Sequence, residues 1–434
     1  MRNLLRCHRG SVAFATVVAL VPLIGVIALG AEGGSWYVTR QSAQNAADAA
    51  AYSGALRLAC SNAGGSNCDT AQDYIYRGKQ FADQNKFCDP RDTSYPCTNS
   101  PPRGTTQTVV IDQPTSSRVR AIVAQQQPAY LAAVLVGFST INIPAQAIAE
   151  VKNPKDLCAL GLGPNSNALT IGGSSNITGN GCGLMSDNSV KYNSTPTFSG
   201  SGWAVNGVTG CVASAGHCAL TVPYNYNMLP ATNPLKILDT ESFNTRTGPV
   251  TTPCGGGGNV TNGNTCSLTP NSAGGVYSGL TVNSGGTLNL APGTYFFYNA
   301  TISFGGTVTG TDVTLVLLGT TSNLTINSGT VNLSAPATNT FSADLNGVLI
   351  DDQAQNANPN KISVSITGGG TSTFGGALYF PYADVSWGGT AQSTSTACTE
   401  VISNTLTING NSYLSTQNCA PGTVARSQVV ALVQ

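Results

Sequence analysis

GLTVNSGGTLNLAPGTYFFYNATISFGGTVTGTDVTLVLLGTTSNLTINSGTVNLSA, residues 279–335, sets the fold class of most of this chain. Runs of three to five β-branched or apolar residues are cut by Gly, Asn and Ser, the pattern of short strands closed by tight turns. Related pieces recur: LTIGG at Leu169, LTVNSG at Leu280, LTINSG at Leu324 and LTINGN at Leu406. Each piece offers alternate Leu, Val and Ile to a common interior, and Gly and Asn supply the left-handed backbone that sharp corners need. The recurrence without a fixed period predicts a right-handed parallel β-helix, a solenoid with variable loops. A β-sandwich is the alternative, and would show hairpin turns at regular spacing of roughly 8–12 residues.

Working outward, the pattern extends over residues 156–434. At its far end Ile402 onward supplies two more strand-like stretches around Cys398 and Cys419, expected to staple the last coil and cover an edge. Upstream the character changes. Residues 11–31, SVAFATVVALVPLIGVIALGA, are uncharged and long enough to cross a bilayer as a helix. Pro22 within it is tolerated in a membrane helix. Arg2, Arg6 and Arg9 precede the run and Glu32 follows it, so the positive-inside rule puts residues 1–10 in the cytoplasm and the bulk outside. A cleaved signal peptide is the rival, but the run exceeds the usual h-region of roughly 7–15 residues. Trp36 and Tyr37 stand where aromatic belts sit. The segment TRQSAQNAADAAAYSGALRL, residues 39–58, continues as helix. Two readings of its small residues stand: a close-packing seam for another helix, or a face lying on its own domain. Residues 32–155 form the stalk and a small α+β region.

Composition narrows the function classes. Charged residues make up 9% of the chain against a usual ~25%. The formal net charge is zero, which leaves no basic face for nucleic acid. The abundance of Val, Ile and Thr argues against disorder. Of 13 cysteines, Cys7 precedes the apolar run and the other 12 follow it, an even number expected to pair in an oxidising compartment. Their proximity suggests Cys60–Cys68, Cys88–Cys97, Cys158–Cys182, Cys211–Cys218, Cys254–Cys266 and Cys398–Cys419. Metal binding is the rival, and would want C-x-x-C spacing or accompanying histidines.

The run GSVAFATVVALVPLIGVIALGAEGGSWYVTRQSAQNAADAAAYSGA resembles the N-terminal region of TadG-like (Tad/Flp tight-adherence) pilus-assembly proteins. The features that carry the resemblance are a Gly-started apolar anchor, the aromatic pair Trp36 and Tyr37, basic Arg40, and the signature Ala46, Ala47, Asp48, Ala49, Ala50 and Ala51. The similarity continues more weakly to about residue 153, through PAYLAAVLVGFSTINIPAQAIAEV, similar to the family's short helix and following strand. The resemblance implies a single-pass protein of the bacterial inner membrane with its bulk periplasmic or extracellular. Its partners would be the membrane and other pilus-assembly proteins. Some members carry a von Willebrand A-type metal site; here VKNPKDLCALGLGP stands at that place, and its serines are missing. Pilin-type precursors carry Glu at the fifth position after the processing site, where this chain has Ala15.

A catalytic centre is not expected. Asp351 and Asp352 are the best carboxylate candidates for a polysaccharide lyase or hydrolase, yet adjacent strand residues point to opposite faces. His8 lies before the anchor, and His217 has no partner fixed by sequence. Gly255, Gly256, Gly257 and Gly258 lack the Lys and Ser/Thr of a phosphate loop. The clusters Tyr295, Phe296, Phe297, Tyr298 and Tyr379, Phe380, Pro381, Tyr382 would put half their rings inward. The outward half has two readings: core packing, or stacking on glycans, a partner protein or a host surface, the adhesin alternative. No metal or other cofactor is expected.

Overall fold

The computed structural model describes residues 8–63, 69, 71–130, 133, 137, 139–164, 167–172, 175–193, 195–213, 218, 222–355, 362–367, 372–389 and 397–433. Two compact units divide the chain: residues 1–58, 70–152 and 430–434 in the first, 59–69 and 153–429 in the second.

The first unit is built on α1 (His8–Asn62), one continuous helix of 55 residues that Pro22 does not interrupt. At 1.5 Å per residue it is about 80 Å long. Its first part is apolar and bare: Phe14, Val17, Leu23, Val26 and Ile27 are all more than half exposed. Nothing among the described residues of the unit covers them, and the stretch is long and apolar enough to cross a membrane. Farther on the helix changes partner. Ala43, Ala46, Ala47, Ala50, Ala51 and Ala55 are fully buried. Beside them lies an antiparallel sheet of β1 (Thr106–Thr115), β2 (Arg118–Pro128) and β3 (Thr140–Lys152). Thr39 bonds Gln127, and a Cβ at Gly54 would come 2.8 Å from the Val119 side chain. Successive turns of α1 therefore meet successively earlier residues of β2, so helix and strand run side by side. On β3, Ala145, Ala147 and Ala149 are buried in alternation with exposed or half-buried residues. Helix α2 (Tyr74–Gln84), capped by Asp73, sets Gly78 against Ile111 of β1. The stretch after α2 is pinned by buried Asp83, whose carboxylate accepts from Tyr95, Thr98 and Asn99, and by the Cys88–Cys97 bridge.

The second unit is a parallel β-solenoid wound in two sections. From one end, the ladder on its longest face runs β7 (Tyr224–Asn225), β6 (Ala204–Gly207), β5 (Gly183–Ser186), β4 (Leu157–Gly161), β14 (Thr399–Asn409), β13 (Thr373–Gly388), β12 (Val348–Asp352), β11 (Val313–Leu318), β10 (Gly293–Phe304), β9 (Val276–Val282) and β8 (Pro249–Val250). The chain enters mid-ladder at β4, winds out to β7, returns lengthwise and starts again at β8. It then winds back until β14 docks on β4. The recurring pieces meet at this seam: Leu406, Thr407 and Ile408 pair with Leu169, Thr170 and Ile171. Leu280, Ile302 and Leu324 likewise stack in register. All of these leucines and isoleucines are buried.

One expectation is corrected here. The C-terminal coil is not a terminal rung, because β14 is paired on both sides. Among the described residues, the ladder ends mid-sequence at β7 and β8, strands of two residues each, and β8 begins with Pro249. Short edges and edge prolines blunt further strand pairing. The Cys211–Cys218 and Cys254–Cys266 bridges lie toward those two ends, and Cys158–Cys182 and Cys398–Cys419 belong to the seam region. Cys68 is outside the described residues, so its pairing with Cys60 is not described.

The returning stretch, residues 229–248, is an outer strap, and it explains the aromatic clusters. Solenoid strands facing solvent alternate, as in Thr287–Leu290 and Asn323–Ile326. By contrast β11, VTLVLL, is buried at every position, because one side faces the interior and the other the strap. Tyr295 and Phe297 point inward. Phe296 points outward and packs edge-on against Phe243 of the strap and Phe341, with the Arg246 guanidinium 4.2 Å over its ring. Phe380 is interior and Tyr379 lies under the strap. Of the two readings of the outward half, Phe296 and Tyr379 take core packing, fully buried by a second layer, while Tyr298 and Tyr382 are half-buried.

Candidate functional site

The signature residues fall where α1 meets its own sheet. Ala46, Ala47 and Ala50 are the buried stripe, and Asp48 and Ala49 are half-buried. Asp48 accepts a 2.8 Å bond from Gln44, whose amide also reaches the Gln146 carbonyl of β3 at 3.1 Å. The acidic residue of the motif therefore orients a glutamine that ties helix to strand. Alanines serve here because helix and sheet backbones can approach only where side chains are short. Of the two readings of this segment, the structure selects packing on its own domain. The short helix expected near residues 130–138 lies largely outside the described residues.

Two surface features belong to the same unit. Arg57, Lys79, Arg91, Asp89, Asp92 and Val110 border an open groove beside β1. Its charges are largely spent on each other: Lys79 pairs with Asp92, Arg91 with Asp89, and Arg57 Nε donates to the Gln72 carbonyl. The hydrogen bond from Arg91 holds the Asp89 carboxyl below its usual range. A second cleft lies at the foot of the sheet, where Tyr130 N donates to Glu32 at 2.6 Å.

In the solenoid, Asp351 and Asp352 end β12, both wholly buried, and they part to opposite sides. Asp351 pairs in register with Val316 and Tyr379 of the outer layer, Asp352 with Leu317 of the interior. The residue that does approach Asp351 is one the sequence did not single out, Asp239 of the strap. Gln353 Nε2 bridges them, 2.7 Å from Asp351 and 3.5 Å from Asp239, and Tyr379 donates to Asp239 at 2.8 Å. Burial pushes Asp351 well above the usual carboxyl range, and the neighbouring acids Asp352, Asp239 and Glu241 push the same way. Burial also raises Asp239, against the bonds from Tyr379 and Gln353. Asp187 and Glu400 are buried acids that accept the backbone N–H of Ala231 and Ala425, at 2.8 and 2.7 Å. These acids lock covering segments to the solenoid. Among the described residues, no group of three or more His, Cys, Asp or Glu is placed to hold a metal. His217 lies outside the described residues. Gly255, Gly257 and Gly258 take positive φ in a turn before Asn259–Val260, as a tight connector.

These features define a class: a protein with one membrane-length helix near its N-terminus, a small α+β unit built around that helix, and a parallel β-solenoid. Residues 10–57 match the family model described as putative Flp pilus-assembly TadE/G-like, a match confined to the long helix. No curated protein and no solved structure matches the chain.

Proposed function

We propose that this protein is a membrane-anchored accessory of Tad-type (Flp) pilus assembly, structural rather than catalytic. In this reading the N-terminus is cytoplasmic, α1 crosses the inner membrane, and the solenoid stands outside the cytoplasm as a surface for protein interaction or adhesion. The observation that carries it is the division of α1: a bare apolar stretch followed by a sealed alanine seam, both within the segment that matches the pilus-assembly model. The disulfides at Cys88–Cys97 and in the solenoid suit an oxidising compartment. The burial of the acidic residues supports a scaffold, since Asp187 and Glu400 hold distant segments in place through the Ala231 and Ala425 backbone.

Crosslinking in cells followed by purification of the full chain should recover pilus-assembly components. Deletion of the gene should impair piliation, and normal pili in the deletion strain would overturn the assignment. Ser328 is exposed on the solenoid. A maleimide that cannot cross membranes should label the Ser328→Cys variant and spare Cys7; the reverse would overturn the orientation.

A further inference from the structure

The cleft at the foot of the first unit lies where the helix would leave the bilayer. Its volume is about 390 Å³, and Glu32, Ser35, Trp36, Arg103, Gln127 and Tyr130 line it. Glu32, Ser35 and Trp36 share one face of α1 by their spacing of three and four residues. The uncharged run ends at Ala31, so Glu32 and Trp36 rise about 1.5 and 7.5 Å beyond it. The headgroup layer of a bilayer is roughly 5–7 Å deep on each side. A helix anchored by residues 11–31 therefore holds this cleft across that layer, from Ala28 just inside the apolar run to Trp36 at the layer's outer limit. The Tyr130 backbone is tied to the same height by its bond to Glu32, and the Tyr130 ring is 76% exposed. Tyr and Trp favour this depth because one end of each ring is apolar and the other wet.

The cleft's charges name the ligand class. Among the described residues that line it, Arg103 is the one base and Glu32 the one acid. Arg103 has no ion-pair partner among the described residues, unlike Arg91, Arg118, Arg120 and Arg426, each paired with a carboxylate. A guanidinium suits a phosphate because its planar fork gives two parallel donors. A carboxylate lining the same cleft suits a primary ammonium. We infer that this cleft seats the headgroup of a zwitterionic phospholipid of the phosphoethanolamine type, its phosphate on Arg103 and its ammonium on Glu32, between the rings of Trp36 and Tyr130. The inference rests on the membrane-anchored reading above. Seating a lipid there would set the height and rotation of the first unit on the membrane, a constraint that one helix crossing alone does not impose.

Trp36 reports on the site directly, because the other two tryptophans, Trp203 and Trp387, are buried in the solenoid. The full chain is reconstituted in phosphatidylcholine vesicles carrying a minor fraction of lipid brominated near the glycerol, as ethanolamine, glycerol or choline headgroup. The ethanolamine lipid should quench Trp36 about threefold more effectively than the others, within the range of an exposed ion pair. Arg103→Gln or Glu32→Gln should each abolish that preference while leaving quenching by the choline lipid unchanged. Equal quenching by all three lipids, or a preference for the glycerol headgroup, would overturn the site. Absence of quenching by any lipid would overturn the membrane-anchored reading itself.

Discussion

Replacing Asp352 by Asn should flatten the pH dependence of solenoid stability. The Asp352 side chain is 1% exposed, and Oδ1 accepts the Ala354 backbone N–H at 3.1 Å. Oδ2 has no hydrogen-bond partner among the described residues. Burial raises its pKa from 3.8 to about 7, against the lowering effect of that one bond. In the unfolded chain the group ionises near pH 4, whereas in the folded protein it stays protonated to about pH 7. Its contribution is therefore fully present below about pH 4 and is lost as pH rises toward 7. A shift of roughly three units at 1.36 kcal/mol each corresponds to about 4 kcal/mol over that window. Asn keeps an acceptor for Ala354 and carries no charge at any pH. Urea unfolding of the full chain in detergent, followed by Trp203 and Trp387 fluorescence at about pH 4 and about pH 8, measures the effect. The wild type should lose about 2–4 kcal/mol more than Asp352→Asn between those two conditions. Asp187 and Glu400 act in the same direction in both proteins and cancel in the comparison, whereas Asp351, pushed up in part by Asp352, is relieved in the variant and adds to the difference in the same direction. Identical pH profiles for the two proteins would refute the assignment of a buried, protonated carboxyl at this position.

Ala47→Leu forces a larger side chain into a fully buried seam and should cost about 1–3 kcal/mol. Limited proteolysis should then cut β1 to β3 faster than in the control Tyr52→Leu, a change on the exposed side of the same helix; equal rates would mean the seam tolerates the larger side chain. Phe243→Ala removes the strap ring that packs on Phe296 and Phe341 and should destabilise by about 3–5 kcal/mol. It should also raise binding of a hydrophobic dye, and unchanged dye binding would mean the outer layer does not depend on that ring.

Local pattern alone made several features legible. The uncharged stretch over residues 11–31 announces a membrane-length helix because bilayer thickness fixes a length. The Gly- and Asn-cut runs around Leu280 and Leu324 announce stacked short strands because turn chemistry and period-two burial are written within a few residues. Close cysteine pairs such as Cys88 and Cys97 name each other by proximity. Side-by-side placement of distant segments was not legible. That Leu406 stacks on Leu169, that β14 docks in the middle of the ladder, and that residues 229–248 run back over its outside all depend on which rungs meet. The strap is what buries Phe296 and Tyr379, and it brings Asp239 to Asp351 across the chain. The membrane-length helix, the short parallel strands and the close cysteine pairs could be read in advance because each depends on neighbours along the chain. The cover over the solenoid and the partner of the alanine stripe could not, because burial depends on neighbours in space, and those are set only when distant segments meet.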